Sequence, residues 1–312
     1  MIGSHKSKHG ALRDLAEWAL VWPILKTLEN LPLPLARLES ACLAHLLRWA
    51  TPGLVRVARR NLSFALPDLP QAEREAIVRG VYRTLTRSLL CFARFPRLSR
   101  DNIADWIRYE GYEHFEQALA RGKGVLFLTA HLGNWELSAL AHGLYGNPMH
   151  IVVRPLDSPR LDQLVARYRT LSGNRIIEKT DSPRRIFEAL AANHAVGMLI
   201  DQNASPDNGV FVEFFGKQAC ASTGLAKIAL RTGAAVIPGF ALWDAAKGRY
   251  VLRFWPPVEM TLCGDPDADI RINTQRMHTV LEQIIRQYPD QWLWIHRRWK
   301  TRPAGEPSLY EG

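Results

Sequence analysis

The stretch 124-GVLFLTAHLGNWELSAL-140 carries an imidazole, His131, and a carboxylate, Glu136, just past an apolar run. Histidine titrates closest to neutrality, so it can take up and return a proton under mild conditions. A neighbouring carboxylate would fix its tautomer and stabilise the imidazolium that forms. Gly133 permits a tight turn between the two. A helix starting near Asn134 puts Glu136 in the first turn, where the helix dipole favours negative charge. The chain has no G-x-S-x-G nucleophile elbow. The pair therefore suits direct activation of a substrate hydroxyl better than a covalent enzyme intermediate. Spacing alone leaves a second reading open, a strand-end histidine beside an ordinary surface glutamate.

Other polar residues stand at comparable places. Arg154 follows 150-HIVV-153, and Asp201, Gln202 and Asn203 follow 196-VGMLI-200. Near the carboxyl end, 289-PDQWLWIHRRWKTRP-303 supplies Arg297, Arg298, Lys300 and Arg302. Guanidinium groups hold phosphates bidentately and ammonium groups hold them as point charges. Each also has a plainer reading: a salt-bridge partner for Arg154, a cap for Asp201, a solvated face for the basic run. Phe211, Phe214 and Phe215 could line an acyl pocket, but buried aromatics mostly pack, and core is the favoured reading.

These residues need a scaffold that gathers strand ends. Apolar runs at 124–130, 150–153, 196–200, 235–242 and 250–255 alternate with helical patterns near 112–120, 134–143, 157–172, 183–193, 222–232 and 269–287. Such alternation predicts an α/β layer fold, a central sheet covered by helices. Open sheets of this kind bind ligands at the carboxyl ends of their strands.

Residues 1–52 read as an amphipathic, membrane-associated helical segment ahead of a catalytic α/β domain at 53–312. Helices are expected over 11–50 with a break at 30–34, and over 53–95 with a break at 64–70. Leu12, Leu15, Trp18, Ala19, Trp22 and Leu25 recur at helical spacing. Two tryptophans on that face, with Lys6, Lys8 and Arg13 near it, suit either an interfacial anchor or a helix docked on its own core. The run is too short, and too interrupted by Pro23, to predict a spanning helix. The long helix from Gln71 carries Arg74, Arg79, Arg83, Arg87 and Arg94, a solvated face or a membrane-facing stripe.

Composition sets outer limits. The chain has 312 residues, 47% hydrophobic and 22% charged, which fits a folded protein. The formal charge of +10 suggests a polyanionic partner. Four scattered cysteines form no CxxC pair, which argues against a zinc module and a disulfide framework. No nucleic-acid-binding signature accompanies the charge.

Taken in order, these segments resemble the lipid A biosynthesis acyltransferases. The resemblance covers about residues 10 to 308. It rests on Asn61, Leu62, Phe64, Pro67 and Asp68; on Glu110–His114; and on the H-x4-E box of His131 and Glu136. Arg154–Pro159, Phe214–Gly216 and the closing HRRWKTRP segment complete it. The resemblance implies a glycerol-3-phosphate-acyltransferase-like fold. It implies transfer of a fatty acyl chain from acyl carrier protein to a hydroxyl of a phosphorylated lipid A precursor. It places that work at the cytoplasmic face of the inner membrane, with no metal or organic cofactor. His131 would be the general base and Glu136 its partner, with Arg154, Asp201, Arg297 and Arg298 binding substrate. Asn203 stands where the family often has a second acid. The residues themselves leave open another glycolipid or amino-acid lipid as acceptor, a thioesterase or hydrolase, or a non-catalytic binder of anionic lipid or nucleic acid.

Overall fold

The computed structural model describes residues 10–178 and 182–311, so Lys6 and Lys8 lie outside the described residues. Four helices lead: α1 (Ala11–Asn30), α2 (Leu33–Ala50), α3 (Pro52–Ala65) and α4 (Gln71–Ala93). Prolines sit in the first turns of α2 and α3, where a missing N–H is tolerated because the first amides of a helix have no intrahelical acceptor. The breaks fall near 31–32 and 66–70, within the expected regions. Pro23 lies inside α1 without ending it.

The rest alternates. β1 (Ile107–Glu110) is preceded by the short α5 (Ile103–Trp106) and followed by α6 (Tyr112–Leu119). Then come β2 (Val125–Thr129), α7 (Trp135–Leu144), β3 (His150–Val153), α8 (Pro159–Arg169), β4 (Arg175–Glu178), α9 (Ser182–Ala191) and β5 (Ala195–Leu199). A hairpin of β6 (Gly209–Phe214) and β7 (Lys217–Ser222) precedes α10 (Gly224–Thr232), β8 (Ala235–Asp244), β9 (Arg249–Phe254) and α11 (Pro266–Gln287).

Seven strands form one mixed sheet in the order β1-β9-β8-β2-β5-β3-β4. β2 pairs in parallel with both β5 and β8, and β9 runs antiparallel to β8. The carboxyl ends of β2, β3, β4, β5 and β8 therefore share one edge. Period-two alternation splits β2 between two cores. Leu126 and Leu128 join a cluster with Leu62, Val78, Leu281 and Trp292. Val125 and Phe127 join one with Leu140, Phe254, and Leu25, Leu28 and Ala36 of α1 and α2.

The leading helices thus pack on the sheet-bearing body. Arg94 donates from Nε to the Leu28 carbonyl at 3.0 Å and also reaches Leu31, satisfying carbonyls at the end of α1. Buried Asp14 accepts from the Ser158 hydroxyl at 2.5 Å and from Arg160 Nε at 3.0 Å, pinning α1 to the start of α8. The apolar stripe of α1 is divided: Leu25 is buried, while Leu12 and Leu15 are exposed. Leu20, Leu35, Leu38, Leu46, Leu47, Trp49 and Leu54 are exposed as well, so the leading helices carry most of the exposed large apolar side chains among the described residues. No helix among these residues is long and apolar enough to cross a membrane.

Candidate active site

Strand register builds the centre of the site. Thr129 of β2 stands opposite Leu199 of β5, and the Ile200 N–H donates to the Thr129 carbonyl at 3.1 Å. Two residues further along each strand lie His131 and Asp201. His131 Nδ1 is 2.9 Å from Asp201 Oδ1, and the His131 backbone N–H donates to Oδ2 at 3.0 Å. Trp292 Nε1 donates to the same Oδ2 at 2.9 Å. Asp201 is buried, and Trp292 beside it is only 2% exposed. Burial opposes ionisation of the Asp201 carboxyl, yet the His131 ring and these donors outweigh it and hold the pKa down to about 2. Asp201 is therefore a carboxylate, and His131 carries its proton on Nδ1. Nε2 is left to act as a base.

Burial alone would lower the His131 pKa. The charge and hydrogen bond of Asp201 prevail and raise it, with Glu136 adding to the effect and Arg169 opposing it. The Trp135 ring stands edge-on to the imidazole at 5.0 Å between centroids, and Gln202 Nε2 lies 3.5 Å from His131 Nε2.

The turn after His131 is tightly made. Gly133 has φ 64°, and a Cβ there would sit 2.0 Å from the Ala241 carbonyl oxygen, so no other residue fits without a backbone shift. Its N–H donates to the Gln291 carbonyl at 2.9 Å, and the Asn134 N–H to that of Ala241 at 2.8 Å. These two amides are already paired and do not form an oxyanion hole. The buried Asn134 side chain caps α7 by accepting from the Leu137 N–H at 3.0 Å.

Glu136 falls in the first turn of α7, but its hydrogen bonds go to Arg169 rather than to His131. Arg169 Nε lies 3.0 Å from Oε2, and a terminal guanidinium nitrogen lies 2.5 Å from Oε1. Both side chains are largely buried, at 16% and 17% exposure. Asp201 thus occupies the tautomer-fixing position that the sequence reading gave to Glu136. Glu136 reaches the imidazole through its field alone.

The sequence pattern of bacterial lipid A biosynthesis acyltransferases matches residues 5–301. The chain belongs to this family. It is 29% identical over 256 residues to the lipid A biosynthesis lauroyltransferase of Escherichia coli K12, covering 82% of each chain. It is 30% identical over 265 residues to the palmitoleoyltransferase of the same strain, covering 84% of each. With that strain's myristoyltransferase it shares 24% over 294 residues, 93% of this chain and 90% of the other.

The other expected site residues of this lipid A acyltransferase scatter. Arg154 lies at the sheet edge that carries His131, two strands away, exposed and 3.2 Å from Asp157. Arg297 is exposed, with its guanidinium 5.7 Å from the Tyr310 ring centroid. Arg298 lies inside the fold. It is wholly buried, donates to the Cys220 carbonyl at 2.6 Å and stands 5.4 Å from the Phe214 ring centroid, while its Nε and one terminal nitrogen are buried without a hydrogen-bond partner. It lies near enough to Asp201 to feel that charge, while burial lowers its own pKa to about 10. Phe214 and Phe215 are core, packed with Trp292 and Trp299. Asn203 binds Thr301 through both ends of its amide, a structural clasp. Asn61 does similar work, donating to the Trp294 and His296 carbonyls at 2.7 and 2.8 Å.

Trp292 and Arg169 are functional candidates that sequence reasoning did not single out. Trp292 lies in the carboxyl-terminal segment 289–303, but its contact with Asp201 spans 91 positions. Arg169 ends a helix without any local pattern to mark it.

A narrow apolar slot opens beside Glu136, between α7 and the sheet. Phe127, Ala139, Met149, Ile151 and Phe254 line it, and Gly197 forms part of its wall. A Cβ at Gly197 would meet the Met149 methyl at 2.5 Å, so the glycine leaves room for that side chain.

Proposed function

We propose that this acyltransferase moves a fatty acyl chain from acyl carrier protein to a hydroxyl of a phosphorylated lipid A precursor, with His131 as general base. The observation that carries the reading is the His131–Asp201 hydrogen bond, which leaves Nε2, 3.5 Å from Gln202 Nε2, as the basic nitrogen at the strand-end edge. The acceptor hydroxyl gives its proton to Nε2 as its oxygen attacks the thioester carbonyl. The tetrahedral intermediate collapses with cleavage of the C–S bond, and the imidazolium returns the proton to the departing thiolate. Asp201 stabilises the imidazolium, as the third member of a hydrolytic triad does. The Glu136–Arg169 pair walls the site, with Glu136 adding negative potential toward His131 and Arg169 opposing it. The apolar slot beside it accepts the start of the acyl chain, and Arg154 and Arg297 position the anionic acceptor.

No metal or organic cofactor is needed for this chemistry. The exposed leucines and Trp49 of the leading helices, together with the +10 charge, support residence on the cytoplasmic face of the inner membrane. The same basic surface would attract an acidic carrier protein. The test is acyl transfer in detergent micelles, using a panel of acyl carrier protein thioesters and a tetra-acylated lipid A precursor, read by mass. A gain of one acyl chain is expected. Thioester loss without acylated lipid would make the protein a hydrolase on these substrates.

A further inference from the structure

A second cavity, of about 320 Å³, lies between α2, α4 and the β8–β9 hairpin. Its walls bring together Arg37 of α2, Arg83 and Arg87 of α4, and Arg249 of β9, with Asp105 as the one carboxylate among them. None of the four arginines is ion-paired to a carboxylate among the described residues. Four guanidinium groups facing one carboxylate leave a net positive charge, and an under-compensated cluster of this kind is a site for an anion. Two details show that it is built. Arg87 is fixed by stacking 4.1 Å from the Trp243 ring centroid, and Trp243 in turn stands edge-on to Tyr250. Arg249 Nε is buried with no hydrogen-bond partner, a donor left for a ligand.

The cavity adjoins the catalytic turn. Ser88, next to Arg87, donates to the Gly133 carbonyl at 3.4 Å, and Gln291 joins the Gly133 N–H to Trp243. It also adjoins the greasy surface. Leu33, Arg37 and Ser40 of α2 line it, while Leu35 and Leu38 of the same helix are exposed. An amphiphile lying along α2 would place its charged head in the cavity and its chains beside the helix.

We propose that this four-arginine cavity binds a phosphomonoester of the lipid acceptor and so holds the acceptor hydroxyl in register with His131. The proposal rests on the acyltransfer reading above. It assigns the phosphate to the cavity and leaves Arg154 to orient the sugar.

The experiment separates binding from turnover. The full chain in detergent micelles is titrated calorimetrically with a tetra-acylated lipid A precursor and with the same lipid after phosphatase treatment. Arg37 and Arg83 are both exposed, so Arg37→Gln with Arg83→Gln leaves the core untouched. The phosphorylated lipid should bind the unsubstituted protein roughly tenfold or more tightly than its dephosphorylated form, since hydrogen bonds to charged groups have about that worth. The double variant should lose this preference, and Arg37→Lys with Arg83→Lys should keep much of it. In turnover, the loss should fall on KM for the phosphorylated lipid.

Equal affinity for both lipids, or a preference unchanged in the double variant, overturns the proposal. Displacement of the lipid by phosphopantetheine but not by inorganic phosphate would give the cavity to the donor and also overturn it. Equal binding of phosphatidylglycerol would make it a general headgroup site, with the same consequence. Phosphate-selective binding without acyl transfer would leave the cavity standing and remove the proposed reaction. Acyl transfer with an unchanged preference would do the reverse.

Discussion

Asp201 Oδ1 lies 2.9 Å from His131 Nδ1, and both residues stand two positions beyond the paired residues Leu199 and Thr129. Parallel strand pairing sets this contact, so the carboxylate that hydrogen-bonds the imidazole comes from a neighbouring strand, not from the adjoining helix. Asp201→Asn should therefore reduce acyl transfer by about 10³–10⁴-fold while the fold persists, as loss of the orienting carboxylate does in triads. The pH profile gives a sharper test. His131 acts when neutral, and its pKa is raised by Asp201, so activity should increase with pH through a midpoint above the ordinary imidazole value. Removing the carboxylate should move that midpoint down. An unmoved midpoint would show that another group titrates.

The Glu136–Arg169 pair makes a separate prediction. Arg169→Met strands a largely buried carboxylate, which should lower stability by roughly 3 kcal/mol. Glu136→Gln with Arg169→Met should recover much of that loss, because no lone charge remains. Denaturant unfolding of the singles and the double measures the coupling. Activity should fall in Glu136→Gln and in the double variant, since both lose the Glu136 charge that acts on His131. Additive stability effects would show that the pair is independent.

Arg298 is predicted to matter for folding rather than for substrate. Arg298→Ala removes a wholly buried side chain and should lower stability by about 2–4 kcal/mol, in the range of large-to-small core changes. Thermal unfolding would show this, and KM for the phosphorylated acceptor should change little in protein that remains folded. Arg154 should behave oppositely. It is exposed, so Arg154→Ala should leave the unfolding temperature alone and weaken use of the acceptor more than donor hydrolysis. Equal loss on both substrates would move Arg154 to the donor side.

The apolar slot makes a prediction about chain length. Met149→Ala deepens the slot where Gly197 now gives the methionine room, so the preferred acyl chain should lengthen. Competition among carrier-protein thioesters of graded length, read by product mass, measures the shift. An unchanged preference would place the chain elsewhere.

What could be read from the chain follows from the range of the interactions. Apolar runs predicted β2, β5, β8 and β9 because those strands are largely covered and hydropathy reports burial directly, and the half-buried β3 because its His-Ile-Val-Val run is still apolar. β4 escaped because Arg175 and Glu178 bracket only two apolar residues, and the β6–β7 hairpin escaped because its second strand reads Lys-Gln-Ala-Cys. His131 and Glu136 stood out through local spacing, and Asp201 through its place after a strand. The partnership was the hard part. His131 and Asp201 are 70 positions apart, and only the strand order, with β5 beside β2, brings them together. Arg298 looked like its neighbours in a basic run, and nothing in that run marks it as the arginine that turns inward.

The most direct measurement compares unsubstituted protein with His131→Ala in the micelle assay, using carrier-protein thioesters and the tetra-acylated precursor. The account predicts one added acyl chain with the unsubstituted protein. It predicts a fall of about 10²–10⁴-fold in the variant at unchanged thermal stability, the usual range for loss of a general base. Transfer by folded His131→Ala at the unsubstituted rate would contradict it.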